Sequence, residues 1–198
     1  MGRVGGVGIV GIVGKRLFIA VDIDEATREQ VGRIASRVRE QIASAAKASW
    51  VSPARMHLTL QFFASADDTL EQRVRAALAH MPREAAFDLT LEGLGIFPAR
   101  GSPRVLWLGV GDGVPELRRI QNALERALGV SASHEASFTP HLTLARFRDR
   151  VPRMILGQIA DIRAYAGPSL IDRVTLYESR LSPAGPTYLP LVQAPLMT

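Results

Sequence analysis

The sequence predicts an α+β fold of antiparallel sheets arranged as two unequal lobes. Three features predict it. Short apolar strands alternate with amphipathic helices, yet several strand-like segments adjoin directly as hairpins, which argues against a parallel doubly wound sheet. The tetrapeptide His-Leu-Thr-Leu occurs twice, at 57–60 and at 141–144, with a loosely repeated layout around each copy. No stretch between the two halves reads as a flexible domain boundary.

Arg16 to Val21 is a short apolar run suited to a buried strand. Asp24 can cap a helix from Glu25 to about Ala46, with Val31, Ile34, Ala35, Val38 and Ile42 on one stripe. Trp50 to Pro53 reads as a turn into a strand over His57–Ala64. Asp67 or Asp68 caps a second helix, Thr69 to Met81, which Pro82 follows. Phe87–Phe97, alternating through Leu89, Leu91 and Leu94, and Arg104–Val110 are strands. Pro115 opens a helix that runs to Leu128, with Gly129 as its stop. The second motif strand is His141–Phe147, followed by a helical stretch over Arg153–Arg163. Strands at Asp172–Leu181 and Tyr188–Ala194 close the chain around the turn at Ser182 to Pro186.

A chain of 198 residues with 47% hydrophobic and 22% charged residues can bury a sizeable core. It has no cysteine, which excludes disulfides, thiolate zinc sites and a cysteine nucleophile. That usage suits a reducing cytosol, and a cytoplasmic location is the expectation. The net charge is +5, and of 24 basic residues only Lys15 and Lys47 are lysines. Arginine pairs with phosphate in bidentate fashion, though arginine richness can also reflect genome base composition. The clustering is more informative. Arg146, Arg148, Arg150 and Arg153 follow the second motif with only Asp149 to oppose them, an electropositive rim suited to a polyanion such as RNA. Residues 1–14 form a glycine-rich extension, expected to be poorly ordered. Its apolar run is too short to span a bilayer, and it lacks the cleavage site of a signal peptide. Residues 15–198 are expected to form one domain.

In a strand, residues i and i+2 share a face, so each motif sets His beside Thr and turns both leucines the other way. A lone strand histidine is most often a surface or hydrogen-bonded residue. Two identical copies in separate halves point instead to paired imidazoles and paired hydroxyls around one substrate. Cleaving a phosphodiester requires a base to activate the attacking oxygen and an acid to protonate the leaving one. Histidine does both near neutral pH. Threonine hydroxyls can donate to the non-bridging oxygens as their charge grows. No metal or other cofactor is called for: two histidines could begin a metal site, but no third ligand stands at a matching spacing. His80, at a predicted helix end, and His134, in a loop, read as surface residues.

The segments Arg16-Leu-Phe-Ile-Ala, Met56-His57-Leu-Thr59-Leu-Gln-Phe62, Pro103-Arg-Val-Leu-Trp107, Phe138-Thr-Pro-His141-Leu-Thr143-Leu-Ala-Arg146 and Leu176-Tyr-Glu-Ser179 occur in order. Together they resemble the two-histidine (2H) phosphoesterases, and among them the LigT-like RNA 2',3'-cyclic phosphodiesterases, formerly called 2'-5' RNA ligases. The resemblance covers about Lys15 to the C-terminus. It implies a bilobal fold, two antiparallel sheets with flanking helices related by a pseudo-two-fold axis, and motif strands facing across a central cleft. It also implies hydrolysis of a 2',3'-cyclic phosphate to a 2'-phosphomonoester. On that resemblance His57 is the proton donor, His141 the proton acceptor, and Thr59 and Thr143 hold the phosphate; the residues themselves do not decide which histidine does which.

Phe62 and Arg146 stand at the same offset from their histidines. By resemblance they are a base-stacking aromatic and a phosphate-binding arginine, whereas core packing is an equal reading for Phe62. Strict alternation would turn both away from the histidines, so a bulge or strand end has to bring them into the cleft. The chain departs from the family at Phe63-Ala64, where Leu-Gly is common. Two other activities stay open: cleavage or joining of 2'-5' linkages, and an RNA- or nucleotide-binding module without turnover. The expected partner is an RNA or oligonucleotide with a 2',3'-cyclic phosphate end, with no membrane and a monomeric protein.

Overall fold

The computed structural model describes residues 14–43, 46–81, 84–129, 138–183 and 185–197. Residues 1–13 of the glycine-rich stretch and His134 lie outside them. The elements in the first half are β1 (Lys15–Asp22), α1 (Glu25–Ile42), β2 (Ala48–Trp50), β3 (His57–Ala66), α2 (Asp68–Ala79), β4 (Phe87–Phe97) and β5 (Val105–Val110). There follow α3 (Val114–Leu128), β6 (His141–Phe147), α4 (Arg153–Ala160), β7 (Tyr165–Ile171), β8 (Arg173–Arg180) and β9 (Thr187–Pro195). A short 3-10 turn, Pro53–Arg55, leads into β3.

The helix signals in the sequence act as expected. The Asp24 carboxylate accepts from the Thr27 backbone N–H at 2.7 Å, and that of Asp67 accepts from Leu70 N–H at 2.8 Å. Gly129 ends α3 in a left-handed conformation. Helix α1 stops at Ile42 rather than Ala46, and α4 at Ala160. Two strands were not anticipated. Trp50, read as the start of a turn, ends β2, which is too short to show periodicity. Strand β7 contains Gly167-Pro168, a pair that normally argues against a strand. It is tolerated because β7 is an edge strand with one free side.

The strands pair in the order β7-β4-β5-β6-β3-β1-β8-β9, with β2 added alongside β6, and these pairings are all antiparallel. The two sheets expected from the sequence are therefore two halves of one continuous, curled sheet. The halves, β7-β4-β5-β6 and β3-β1-β8-β9, meet at a single register pair, Leu58 opposite Leu142. Past that pair β3 diverges, and β2 takes over the free edge of β6 through Ala48, Ser49 and Trp50. The opening between β3 and β6 is the root of the cleft.

The seam rests on burial more than on backbone hydrogen bonds. Leu58 and Leu142 are 1% and 0% exposed, and burying a leucine side chain contributes about 1.5–3 kcal/mol. The leucine side of the sheet joins Val31, Ile34 and Val38 of α1, Val74 and Leu78 of α2, and Leu117, Ile120 and Leu124 of α3 in one connected core. Helix α1 also ties the halves together. It follows β1 but packs on β7, where Ser169 Oγ accepts from Asp24 N–H and Gln30 Oε1 accepts from Gly167 N–H, both at 2.8 Å. At the other end, Glu71 of α2 accepts from Lys15 Nζ at 2.7 Å and from Arg75 Nε and Nη2 at 2.9 and 2.7 Å, pinning the start of β1. Among the described residues no helix is long and apolar enough to cross a membrane.

Two stability outcomes follow. Leu58→Ala and Leu142→Ala should each cost about 2–5 kcal/mol in urea unfolding. As the two side chains share one contact, the double variant should lose measurably less than the sum; strict additivity would mean that the halves do not depend on this seam. The bonds from Lys15, and then Arg75, hold the Glu71 carboxyl below its ordinary value of 4.5. Stability from this group is therefore present above that value and lost as pH falls below it. Wild type should exceed Glu71→Gln by about 1 kcal/mol or less at pH 7, and the gap should close under acid unfolding conditions.

Candidate active site

The fourth residue of each motif copy is a β-bulge. Along β3, Thr59 is opposite Ala20 and Gln61 is opposite Ile19, which leaves Leu60 as the extra residue. Along β6, Thr143 is opposite Trp107 and Ala145 is opposite Leu106, which leaves Leu144. A bulge resets the side-chain alternation by one residue. Phe62 is thereby opposite Phe18, on the face that carries His57 and Thr59, and Arg146 is opposite Val105, on the face of His141 and Thr143. The four residues of the motif thus divide their tasks. His and Thr face the cleft, the first Leu makes the seam, and the second Leu makes the bulge that turns the +5 side chain inward.

The two imidazoles are held alike. His57 Nδ1 lies 2.9 Å from the Arg55 carbonyl, and His141 Nδ1 lies 2.8 Å from the Thr139 carbonyl. A carbonyl only accepts, so Nδ1 carries the proton in both rings and Nε2 is the nitrogen that gains or loses one. The residue between carbonyl and histidine is buried in each case, Met56 in one half and Pro140 in the other, which fixes the backbone path. His57 Nε2 lies 3.1 Å from Thr59 Oγ1.

The surroundings differ. His57 stacks on Phe18 with ring centroids 4.7 Å apart and meets the edge of Tyr188 at 5.3 Å. His141 meets Phe97 edge-on at 5.0 Å and a tilted Trp107 at 6.0 Å. Burial pushes the His57 imidazolium below its ordinary 6.5; the Arg55 carbonyl and the Asp22 charge oppose that shift, while Arg28 and His141 add to it. Asp22 itself accepts from the Tyr177 hydroxyl at 2.6 Å; burial and this bond raise the phenol above its usual value.

His57, Thr59, His141, Thr143 and Arg146 line one cleft of about 690 Å³, and all five also border the adjoining recess that holds Phe62. The structure therefore brings all six sequence-predicted residues together. Phe62 is 46% exposed, so it is not a core residue; the Arg16 guanidinium lies over its ring at 5.1 Å. Phe63, at the position of the family's common leucine, takes the buried place instead. Among the described residues, five arginines line the two spaces (16, 39, 55, 146 and 148) and no carboxylate does. His80 is exposed, its ring turned back to the Ala76 carbonyl, and takes no part. No cluster of three or more metal-ligating side chains occurs among the described residues.

Sequence reasoning did not single out Phe18, Tyr188, Phe97 or Trp107 as site residues. Nor did it find Arg16, Arg39 or Arg55. The aromatics looked like core, and only the pairing of β1 with β3 and of β5 with β6 turns Phe18 and Trp107 toward the imidazoles. Trp107 lies so close across β4 that a Cβ on Gly95 would sit 2.2 Å from its ring. Arg55 was hidden because it acts through two groups. Its carbonyl holds His57, while its guanidinium donates to Ser52 Oγ at 2.9 Å and to the Pro186 carbonyl at 3.2 Å, clasping the β8–β9 turn.

Known proteins are similar to this chain in sequence and in fold. Residues 23–182 match the family model described as the 2'-5' RNA ligase superfamily. A Thermotoga maritima protein named RNA 2',3'-cyclic phosphodiesterase is 33% identical, over 87% of this chain and 91% of its own. One of the same name from Archaeoglobus fulgidus is 32% identical, over 87% and 96%. The crystal structure of Escherichia coli LigT in apo form superposes with a TM-score of 0.71 at 28% identity, covering 93% of this chain and 99% of that one. The matched segment contains both motif strands, the leucine seam and the two bulges, and the chain belongs to the 2'-5' RNA ligase superfamily.

Proposed function

We propose that this protein hydrolyses the 2',3'-cyclic phosphodiester at RNA ends to a 2'-phosphomonoester by metal-independent acid–base catalysis. One observation carries the reading: two imidazoles, each tied at Nδ1 to a backbone carbonyl so that Nε2 is the nitrogen that exchanges a proton, share a cleft lined by arginines and, among the described residues, by no carboxylate. The names of the relatives that match most of the chain agree with it. We also propose that it acts as a monomer, since the paired histidines and threonines that the mechanism needs all come from a single chain. The absence of cysteine supports a cytoplasmic location.

In the reaction, a water enters opposite the 3'-oxygen. His141 Nε2 takes a proton from the water as its oxygen bonds to phosphorus. The bond from phosphorus to O3' breaks, and O3' takes the proton from His57 Nε2. The products are a 2'-phosphate and a 3'-hydroxyl. Thr59, Thr143 and Arg146 donate to the non-bridging oxygens, where negative charge builds in the transition state. Phe62 offers an exposed ring on which the terminal base stacks.

Burial disfavours the His57 imidazolium, whereas a donor must be protonated. The substrate supplies the correction, because a phosphate anion beside the ring favours the imidazolium. The kcat/KM profile should therefore be bell-shaped, its basic limb falling below the ordinary histidine value of 6.5. The basic limb of kcat, set in the complex, should lie at higher pH. Phe18→Leu, which admits water beside His57, should move the kcat/KM limb upward; an unmoved limb would assign it to another group.

Phosphorus NMR of a cyclic-ended RNA incubated in chelator should show a 2'-phosphate product. A 3'-phosphate, or a 2'-5' joined product, would replace the reading with another activity of the superfamily, and no product would favour a binding module. His57→Ala and His141→Ala should each lower kcat by about 10²–10⁴-fold. With sulfur in place of the 3'-bridging oxygen, the leaving thiolate needs no proton. His57→Ala should then recover most of its loss and His141→Ala should not; the opposite pattern would exchange the two roles.

A further inference from the structure

The cleft has two arms that diverge from the His/Thr floor, and a cyclic phosphate with its terminal base accounts for only one. The first arm passes Arg16 and Phe62. The second runs along the β2 edge of β6 to Arg39, Ser49 and Arg148. Arg39 comes from the last turn of α1 and Arg148 from the residue just beyond β6, so two separate elements aim guanidinium groups at this arm. Arg148 is oriented by its Nε–H, which donates to Ser49 Oγ at 2.7 Å, and among the described residues its two terminal nitrogens have no hydrogen-bond partner.

The charge in this arm is unspent. Arg33, Arg75 and Arg119 elsewhere in the molecule are ion-paired. Among the described residues, neither Arg39 nor Arg148 has an acidic partner and no carboxylate lines the arm. Exposed, unpaired guanidinium groups converging on a groove continuous with a phosphate site suit a second phosphate. An RNA end provides one: the phosphodiester 5' to the terminal nucleotide, which a cyclic mononucleotide lacks.

Building on the hydrolytic reading above, we propose that Arg39 and Arg148 form a second phosphate subsite that binds the phosphodiester on the 5' side of the terminal nucleotide. This subsite makes the protein prefer cyclic-ended oligonucleotides to cyclic mononucleotides. Both side chains are exposed, so their replacement leaves the core untouched.

The test compares kcat/KM for adenosine 2',3'-cyclic phosphate and for a cyclic-ended tetra-adenylate, in wild type and in the double variant Arg39→Ala/Arg148→Ala. The variant should lose about tenfold more on the tetranucleotide than on the mononucleotide. Its log–log salt dependence on the tetranucleotide should flatten by about 0.7 for each phosphate contact removed. Adding a 5'-phosphate to the mononucleotide should restore part of the wild-type preference and none in the variant. Equal losses on both substrates, or no loss on either, overturn the subsite. If wild type hydrolyses neither substrate, the hydrolytic reading fails by itself. The subsite is then judged by anisotropy binding of a 3'-hydroxyl tetra-adenylate, and equal affinity of wild type and variant rejects it.

Discussion

The two halves of the sheet pair in register at one point, Leu58 opposite Leu142, and the cleft exists because β3 and β6 are not paired along the rest of their lengths. Leu58 and Leu142 bring the motif strands together at one level, so the histidines and threonines on either side of the leucines meet around a common space. Had β3 and β6 paired along their lengths, the sheet would be continuous there and the groove would close. Held by fewer contacts, the halves would drift and the distance between the imidazoles with them. Helix α1 adds a second tie, bonding across to β7 through Asp24 and Gln30 without entering the gap.

Much of this was legible in the sequence because a duplicated tetrapeptide is a strong signal and strand alternation is a dependable rule. The helix boundaries set by Asp24, Asp67 and Gly129 were legible too, since each of those residues has a local physical task. What stayed hidden depends on partners distant in the chain. That Leu60 and Leu144 are bulges is a property of pairing with β1 and β5, and nothing in the tetrapeptide alone reveals it. β7 was missed because its proline argues against a strand, a rule that an edge position suspends. The single seam between the halves could not be read either, because sequence periodicity reports which face is buried and not which strand is the neighbour.

The identical motifs sit in unlike surroundings, and that inequality separates two chemically equal rings. His57 is enclosed by Phe18 and Tyr188, with the Tyr177–Asp22 pair nearby, and burial disfavours its charged form. His141 is backed by Phe97 and Trp107 from the other half. Around both, the charged side chains that line the cleft among the described residues are arginines, so an arriving phosphate meets positive charge. On the proposed reading, binding and the readiness of the acid are linked: the anion that is to be cleaved also favours the charged form of the ring proposed to protonate its leaving group.

The tie at Nδ1 has a consequence for how the site tolerates inherited change. Both imidazoles are oriented by backbone carbonyls, of Arg55 and Thr139, and every amino acid supplies the same carbonyl. Side-chain substitutions at 55 and 139 therefore leave the tautomer in place, and those positions are free to acquire other duties. Arg55 has acquired one, clasping the β8–β9 turn with its guanidinium. The chemically decisive proton is written into the path of the main chain, where point substitution reaches it least, and the side chains around it are left to diversify.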